Sequence, residues 1–447
     1  MSADGIDGQL EQWQSYLRKH GSQADADGLD GQLRGSIEEL TATGLRPEES
    51  FLIALKRLAA QDGPAREFAR TQSTRLWRDL VLTDQPNRTG NRPALLTMLV
   101  CAVGAAVAIK APALFGADFD DSAEFYLRNL ALFTLTPLAV YFGLRRRLGP
   151  AAIAIVAGLF VLGAVAANAY GLDSDSQSIA LSAIHLPLAL WLATGVAYAG
   201  GEWRSAPKRM DFIRFTGEWI IYLVLIYLGG GVLTAITAGT FDAIGIDVET
   251  FVGEWLVPCG AVAAMVVAAW LVETKQGVLE TIAPMLTKIF TPLFTVVLLA
   301  LLIGFGLSRT GLEVDRDVLI LFDLLLAVIL GLLLYAISAT DRPDEPKLFD
   351  KLQLALVVSA LLVDLLVLTA ITGRITEYGT TPNKIAALGE NLILLANLAW
   401  SAWLLFGFLR GRTPFARLER WQTSYLLVYA AWAWIVVLVF PPLFGFR

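Results

Sequence analysis

"DVLILFDLLLAVILGLLLYAIS", residues 317–338, carries one charged side chain, Asp323, after its first residue. At 1.5 Å of rise per residue, such a run covers the roughly 30 Å hydrocarbon core of a bilayer as a single helix. Runs of the same kind recur at 94–115, 126–144, 150–170, 178–199, 217–240, 251–272, 284–306, 350–372, 386–409 and 421–443. The chain of 447 residues is 55% hydrophobic and 17% charged, where a soluble protein carries about a quarter charged residues. The predicted fold class is therefore all-α: a polytopic membrane protein of eleven transmembrane helices, residues 94–447.

The first 82 residues differ in kind, being polar and rich in charge. Ile6, Leu10, Trp13 and Leu17 recur at helical spacing, as do Leu29, Leu33, Ile37 and Leu40. Gly44 and Pro47 mark a helix boundary, after which Phe51, Leu55 and Leu58 form a third stripe. A fourth helix is expected from Pro64 to Leu82. These stripes predict a small soluble helical bundle over residues 1–82. Residues 83–93, with two prolines, read as a linker. The start "MSADGIDGQL" has neither the basic nor the apolar region of a signal peptide.

Several function classes find no support in the sequence. A net charge of −6 gives no basic footprint for nucleic acid. Cys101 and Cys259 both fall inside apolar runs, and His20 and His185 are the only histidines. No metal site or cofactor is expected from them. No phosphate-binding loop, nucleophile elbow or zinc-protease motif occurs, so no catalytic residue is assigned and no enzymatic activity is expected.

Basic residues set the expected orientation. One series of loops holds Arg88 and Arg92, Arg145 to Arg147, Arg204, Lys208, Arg209 and Arg214, then Lys275, Arg342, Lys347, Lys351, Arg410, Arg412, Arg417 and Arg420. Of the alternate loops, "GADFDDSAE", "GLDSDSQ" and "TFDAIGIDVET" hold none and the last two hold two each. This places the soluble head in the cytoplasm and the carboxyl terminus outside, in a bacterial inner membrane. The partners expected are the lipid bilayer and a cytoplasmic protein meeting residues 1–82.

Within the spans lie Lys110, Asn168, His185, Glu254, Asp323, Asp364, Glu390, Asn391 and Asn397. A charge at the bilayer centre costs at least about 2.5–3.5 kcal/mol, so these groups are expected to face other helices or a polar cavity. Lys110 has the reach to snorkel, and Asn397 suits an interhelical hydrogen bond. Asp323, Asp364 and Glu390 sit on three consecutive spans. They are expected to meet around a shared cavity in the outer half of the membrane, an arrangement suited to handling a cation or proton. Asn397 and His185 are further candidates for that pathway.

Two other stretches draw notice. "FTGEWII" (215–221) and "FVGEWLV" (251–257) share a pattern and open successive spans, as an inverted repeat would. Between them Gly229, Gly230 and Gly231 allow either a broken helix or close helix packing. The stretch "RITEYGTTPNK" (374–384) then joins two spans on the outer side. Gly379 suits a helix end, Thr381 a cap and Pro382 a first turn. Arg374 and Lys384 either meet lipid headgroups, pair with Glu377 and Glu390, or draw an anionic group to an outer vestibule. Glu377 is expected to bond Arg374 or a basic neighbour, with Tyr378 rigidifying the turn.

Two resemblances follow from these stretches. The pattern "LEQWQSYLRKH", "LDGQLRGSIEELTATGLRPEESFLIALKRLA" and "REFARTQSTRLW" resembles the helical permease prefix domain of actinobacterial membrane proteins. Residues 95–445 resemble an uncharacterised bacterial multi-pass family, domain of unknown function 4153. The resemblance is carried by Arg374, Glu377, Tyr378, Gly379, Thr381, Pro382, Asn383 and Lys384. It implies the architecture and brings no established activity. The expected function is a permease-like transporter with an outward-facing polar cavity. The alternative is a sensory or regulatory membrane protein signalling through its cytoplasmic head.

Overall fold

The structure is a computed structural model. It describes residues 10, 13–14, 23–42, 45, 50–51, 53–55, 57–58, 91–119, 122–170, 176–274, 276–307, 316–338 and 346–445. These residues form helices and no strand. The chain divides into two compact units, residues 1–93 and 94–447.

In the first unit, helix α1 (Gln23–Ala42) turns Leu33, Ile37 and Leu40 onto one face. They pack with Leu10, Trp13, Phe51, Ala54, Leu55 and Leu58, the stripes expected from periodicity. The Gln14 side-chain amide donates to Asp30 at 2.9 Å, and the Thr41 and Ser50 hydroxyls meet at 3.1 Å. Ile6, Leu17 and the expected helix over 64–82 lie outside the described residues.

Eleven helices among the described residues are long and apolar enough to cross a membrane, and they build the second unit. They are α2 (Asn91–Lys110), α3 (Ala123–Arg146), α4 (Pro150–Ala169), α5 (Gln177–Tyr198), α6 (Ala206–Ala243) and α7 (Glu249–Thr274). The series continues with α8 (Gln276–Leu307), α9 (Arg316–Ser338), α10 (Leu348–Tyr378), α11 (Pro382–Leu409) and α12 (Phe415–Leu438). Their ends follow local chemistry. Pro150 and Pro382 occupy first turns, where no amide hydrogen is needed. The Ser176 hydroxyl caps α5, and left-handed Arg147 closes α3.

Contacts between helix ends show that the spans alternate in direction. Glu273, near the end of α7, meets Arg145 and Arg146 at the end of α3, at 3.3 and 3.0 Å. It also accepts a 2.7 Å hydrogen bond from the Tyr141 hydroxyl. At the other face, the Tyr170 hydroxyl beyond α4 donates to the Leu438 carbonyl of α12 at 3.0 Å. Here the face holding Arg145, Arg146, Arg204 and Arg420 is termed the basic face, and the one holding Asp247 and Glu249 the acidic face.

Two large hydrophobic cores among the described residues share this unit. The first gathers α2 to α7, around Phe142, Phe160, Leu190, Phe215 and Val266, and takes Val437 from α12. The second gathers α8 to α12, around Leu298, Leu326, Ile329, Val357, Leu398 and Leu405. The seam between them runs chiefly along α5, α6, α9 and α12.

The glycine expectation is corrected. Helix α6 runs unbroken through Gly229, Gly230 and Gly231, and a side chain added at any of them would meet nothing within 4 Å. In hydrocarbon the backbone can satisfy its hydrogen bonds only internally, so glycines there stay helical without a partner. The close packing falls at other glycines, with the Gly217 position against the Tyr335 ring and Gly389 against Trp432. The two F-x-G-E-W segments have opposite surroundings. Phe215 and Trp219 are buried, and the Trp219 indole donates to the Met265 carbonyl at 2.9 Å. Phe251 and Trp255 are exposed, within or beside a π-helical turn at Val252–Leu256. Trp255 instead covers Lys110, whose ammonium lies 4.4 Å from that ring and 4.9 Å from Phe119. Cation–π contact thus steadies Lys110 at the acidic face.

Candidate functional site

The side chains of Asp323 on α9, Asp364 on α10, and Glu390 and Asn391 on α11 gather in the second core. The Asn391 side-chain amide donates to Asp323 Oδ1 at 2.9 Å and to the Ala387 carbonyl at 2.9 Å. Asp364 and Glu390 both lie within electrostatic range of Asp323. Asp364 and Asn391 are fully buried, whereas Asp323 and Glu390 are half-buried. Helical rise places Asp323 roughly 10 Å along α9 from its end at the acidic face. By the same measure Asp364 lies roughly 20 Å along α10 from its acidic-face end. The acids therefore step from the acidic face toward mid-membrane.

Asp364 is the unusual member. Neither of its carboxylate oxygens has a hydrogen-bond partner among the described residues, and Asn391 Oδ1 is likewise buried without one there. A buried polar group left unpaired costs about 1–3 kcal/mol, more if charged. Three carboxyls in a medium of low polarity also resist being ionised together. Such an arrangement can take up a proton or a monovalent cation, either of which relieves both penalties. No group of three or more His, Cys, Asp or Glu suited to a multivalent metal occurs among the described residues.

Asp364 and Glu390 thus each approach Asp323, in different surroundings from those expected. Asp364 and Asn391 are sealed within the packed helices, so this conformation shows no outward-open polar cavity at them. A hollow of about 520 Å³, bordered by charged residues, does occur at the basic face, between α6, α9 and α12.

Asn397 belongs to a separate network. Its amide donates to Gln422 Oε1 at 3.1 Å and to the Tyr429 hydroxyl. Its oxygen accepts from the Trp421 indole at 2.8 Å and from the Ser401 hydroxyl at 3.1 Å. The Ser401 hydroxyl shares its one hydrogen between this oxygen and the Asn397 backbone carbonyl, 2.7 Å away. Asn397 thus ties α11 to α12 in a network separate from the acids. His185 is also buried, with Nδ1 2.9 Å from the Leu181 carbonyl one turn back. No hydrogen bond joins it to the acids among the described residues. Asn168 exchanges amide hydrogen bonds with Asn129 at 2.7 and 3.0 Å, tying α4 to α3.

The 374–384 stretch forms a tight helical hairpin. Helix α10 continues to Tyr378, Gly379 turns at φ 73°, and the Thr381 hydroxyl accepts from the Lys384 amide at 3.4 Å. The expected ion pair of Glu377 is absent among the described residues. Lys384 orders the turn instead. Its ammonium donates to the Gly379 carbonyl at 2.8 Å and the Arg374 carbonyl at 3.2 Å, and lies 5.6 Å from the Tyr378 ring. The last carbonyls of α10 lack helical partners, so a cation there completes their hydrogen bonding and offsets the helix dipole. Tyr378 itself is exposed.

Sequence reading assigns no site role to Glu273, to Gln422 or to the four charged residues of the basic-face hollow. Glu273 is detectable as an acid at the end of a span, two residues before Lys275 in the basic series of loops. Gln422 has no comparable signal. No family model matches the chain, and no similar curated protein or solved structure was found.

Proposed function

We propose that this chain is a permease-like transporter, and that Asp323, Asp364 and Glu390 exchange a proton during its cycle. The observation that carries this reading is Asp364: wholly buried, unpaired at both oxygens, and within electrostatic range of a second acid. Packing alone gives no reason to keep such a group, because an apolar residue of the same shape would be less costly there. Buried acids at membrane depth commonly mark ion or proton routes. The division into two cores supplies two bodies that can shift along the seam, as alternating access requires. The basic face is read as cytoplasmic, in a bacterial inner membrane, with residues 1–82 inside and the carboxyl terminus outside. On that orientation this conformation is closed to the outside at the acids and hollow toward the cytoplasm. The head, with a hydrophobic core of its own, is the part suited to meet a cytoplasmic protein.

A pH jump applied to proteoliposomes on a solid-supported membrane tests the proton step. Proton uptake by the acids produces a transient displacement current in the wild-type protein. Asp364→Asn should abolish it, and Asp323→Asn should reduce it. Equal currents from wild type and Asp364→Asn would overturn the reading.

A further inference from the structure

The hollow of about 520 Å³ at the basic face lies apart from the acids and has a different chemistry. Its charged lining comes from two helices that start at this face: Asp211 and Arg214 in α6, Glu419 and Arg420 in α12. The last turn of α9 closes it with Ile337 and Ser338.

Two acids and two arginines facing one space would ordinarily pair. None of the ion pairs among the described residues joins any two of these four. Arg214 is held in place by the backbone, its Nε donating to the Ser338 carbonyl at 2.9 Å and a second guanidinium nitrogen to the same oxygen. A guanidinium anchored on a carbonyl keeps its positive charge and its remaining N–H groups, and the one other acid near it, the buried Glu218 one turn on, does not line the hollow. Seated at the end of α9, it also cannot swing across to an acid on α12 without giving up that bond. Both signs of charge therefore border the same hollow, with no ion pair joining them among the described residues. Its uncharged lining, including Met210 and Ile337, is largely apolar.

We propose that this hollow binds a small zwitterion, its oxyanion on Arg214 and Arg420 and its ammonium on Asp211 and Glu419. Arginine forks match the planar or tetrahedral oxygens of carboxylate and phosphate, and carboxylates accept from an ammonium. A short dipolar molecule bridges charges that the side chains leave apart, whereas an ion of one sign would satisfy half the lining and be repelled by the rest. Two sources carry this chemistry: a soluble metabolite reaching the basic face, or the headgroup of a zwitterionic lipid. The assignment concerns binding and stands whether or not the protein transports.

The full-length protein in phosphatidylglycerol nanodiscs, titrated calorimetrically, provides the test. Phosphoethanolamine and β-alanine serve as zwitterions, and methyl phosphate and ethylammonium as their single-charge counterparts. At least one zwitterion should bind about tenfold tighter than either single-charge ion. Arg420→Gln and Glu419→Gln, neither of them a fully buried position, should each weaken that binding about tenfold with unchanged melting temperature. Repeating the titration in phosphatidylethanolamine nanodiscs separates the sources. Retained binding assigns the site to a soluble zwitterion, and lost binding assigns it to the lipid headgroup. If neither zwitterion binds in phosphatidylglycerol discs, the proposal is overturned. Equal binding of methyl phosphate, or binding undiminished in both variants, overturns it as well.

Discussion

Replacing Asp364 with leucine should make this protein more stable while removing its response to protons. Leucine has the same branched skeleton as aspartate, so it takes the fully buried place of Asp364 without leaving a new cavity. What it removes is a buried carboxyl with neither oxygen bonded. An unpaired buried polar group costs about 1–3 kcal/mol. At roughly 2 °C per kcal/mol for a unit of this size, the melting temperature should rise by about 2–6 °C. The opposite case has the opposite sign. Were Asp364 held by a partner, breaking the buried pair would cost about 3–5 kcal/mol, and melting would fall by roughly 6–10 °C. Melting of the detergent-solubilised protein, followed by tryptophan fluorescence, reads the difference. A fall of several degrees in Asp364→Leu would show that the carboxyl is a structural fastener, and the proton reading would lose its basis.

Three other outcomes follow from the geometry. Asn397→Leu should destabilise by about 2–4 kcal/mol, because it leaves Gln422, Trp421, Ser401 and Tyr429 with unmet hydrogen-bonding groups, whereas Ser401→Ala should cost less; chemical unfolding of the two variants checks the order. Lys384→Met should lower the melting temperature more than Glu377→Gln, since the lysine closes the α10–α11 turn and the glutamate does not. In intact cells of a variant lacking Cys101 and Cys259, a membrane-impermeant maleimide should label Glu249→Cys and spare Glu202→Cys; the reverse pattern would invert the proposed orientation.

The number of spans was legible because length and hydropathy are local properties, and each run had to satisfy the same bilayer thickness. The three acids were legible for a related reason: a charge within a span is costly wherever it sits, so its presence alone is informative. Which groups they meet was not legible. Asn397 and Asn391 are the same residue type on one helix, yet the first is bonded at both its amide and its oxygen and the second has an unpaired oxygen. That difference comes from Trp421, Gln422 and Tyr429 on the next helix, through contacts no local pattern encodes. The glycines misled for a similar reason. Three in a row at Gly229–Gly231 suggested packing, but closeness depends on the partner, and it is the isolated Gly389 that lies against Trp432.

The first core takes its last member, Val437, from the final span, with Trp434 and Leu438 packed beside it. The buried residue before it in that core is Val272, near the end of α7. The ribosome must therefore deliver the whole second bundle before the first is sealed. At about 5–20 residues per second, that interval lasts roughly 8–30 s. Throughout it, the surface of α5 that α12 will cover is open to lipid or to the insertion machinery. Premature termination before α12 would leave the first six spans inserted with an uncovered flank, a clear target for membrane quality control.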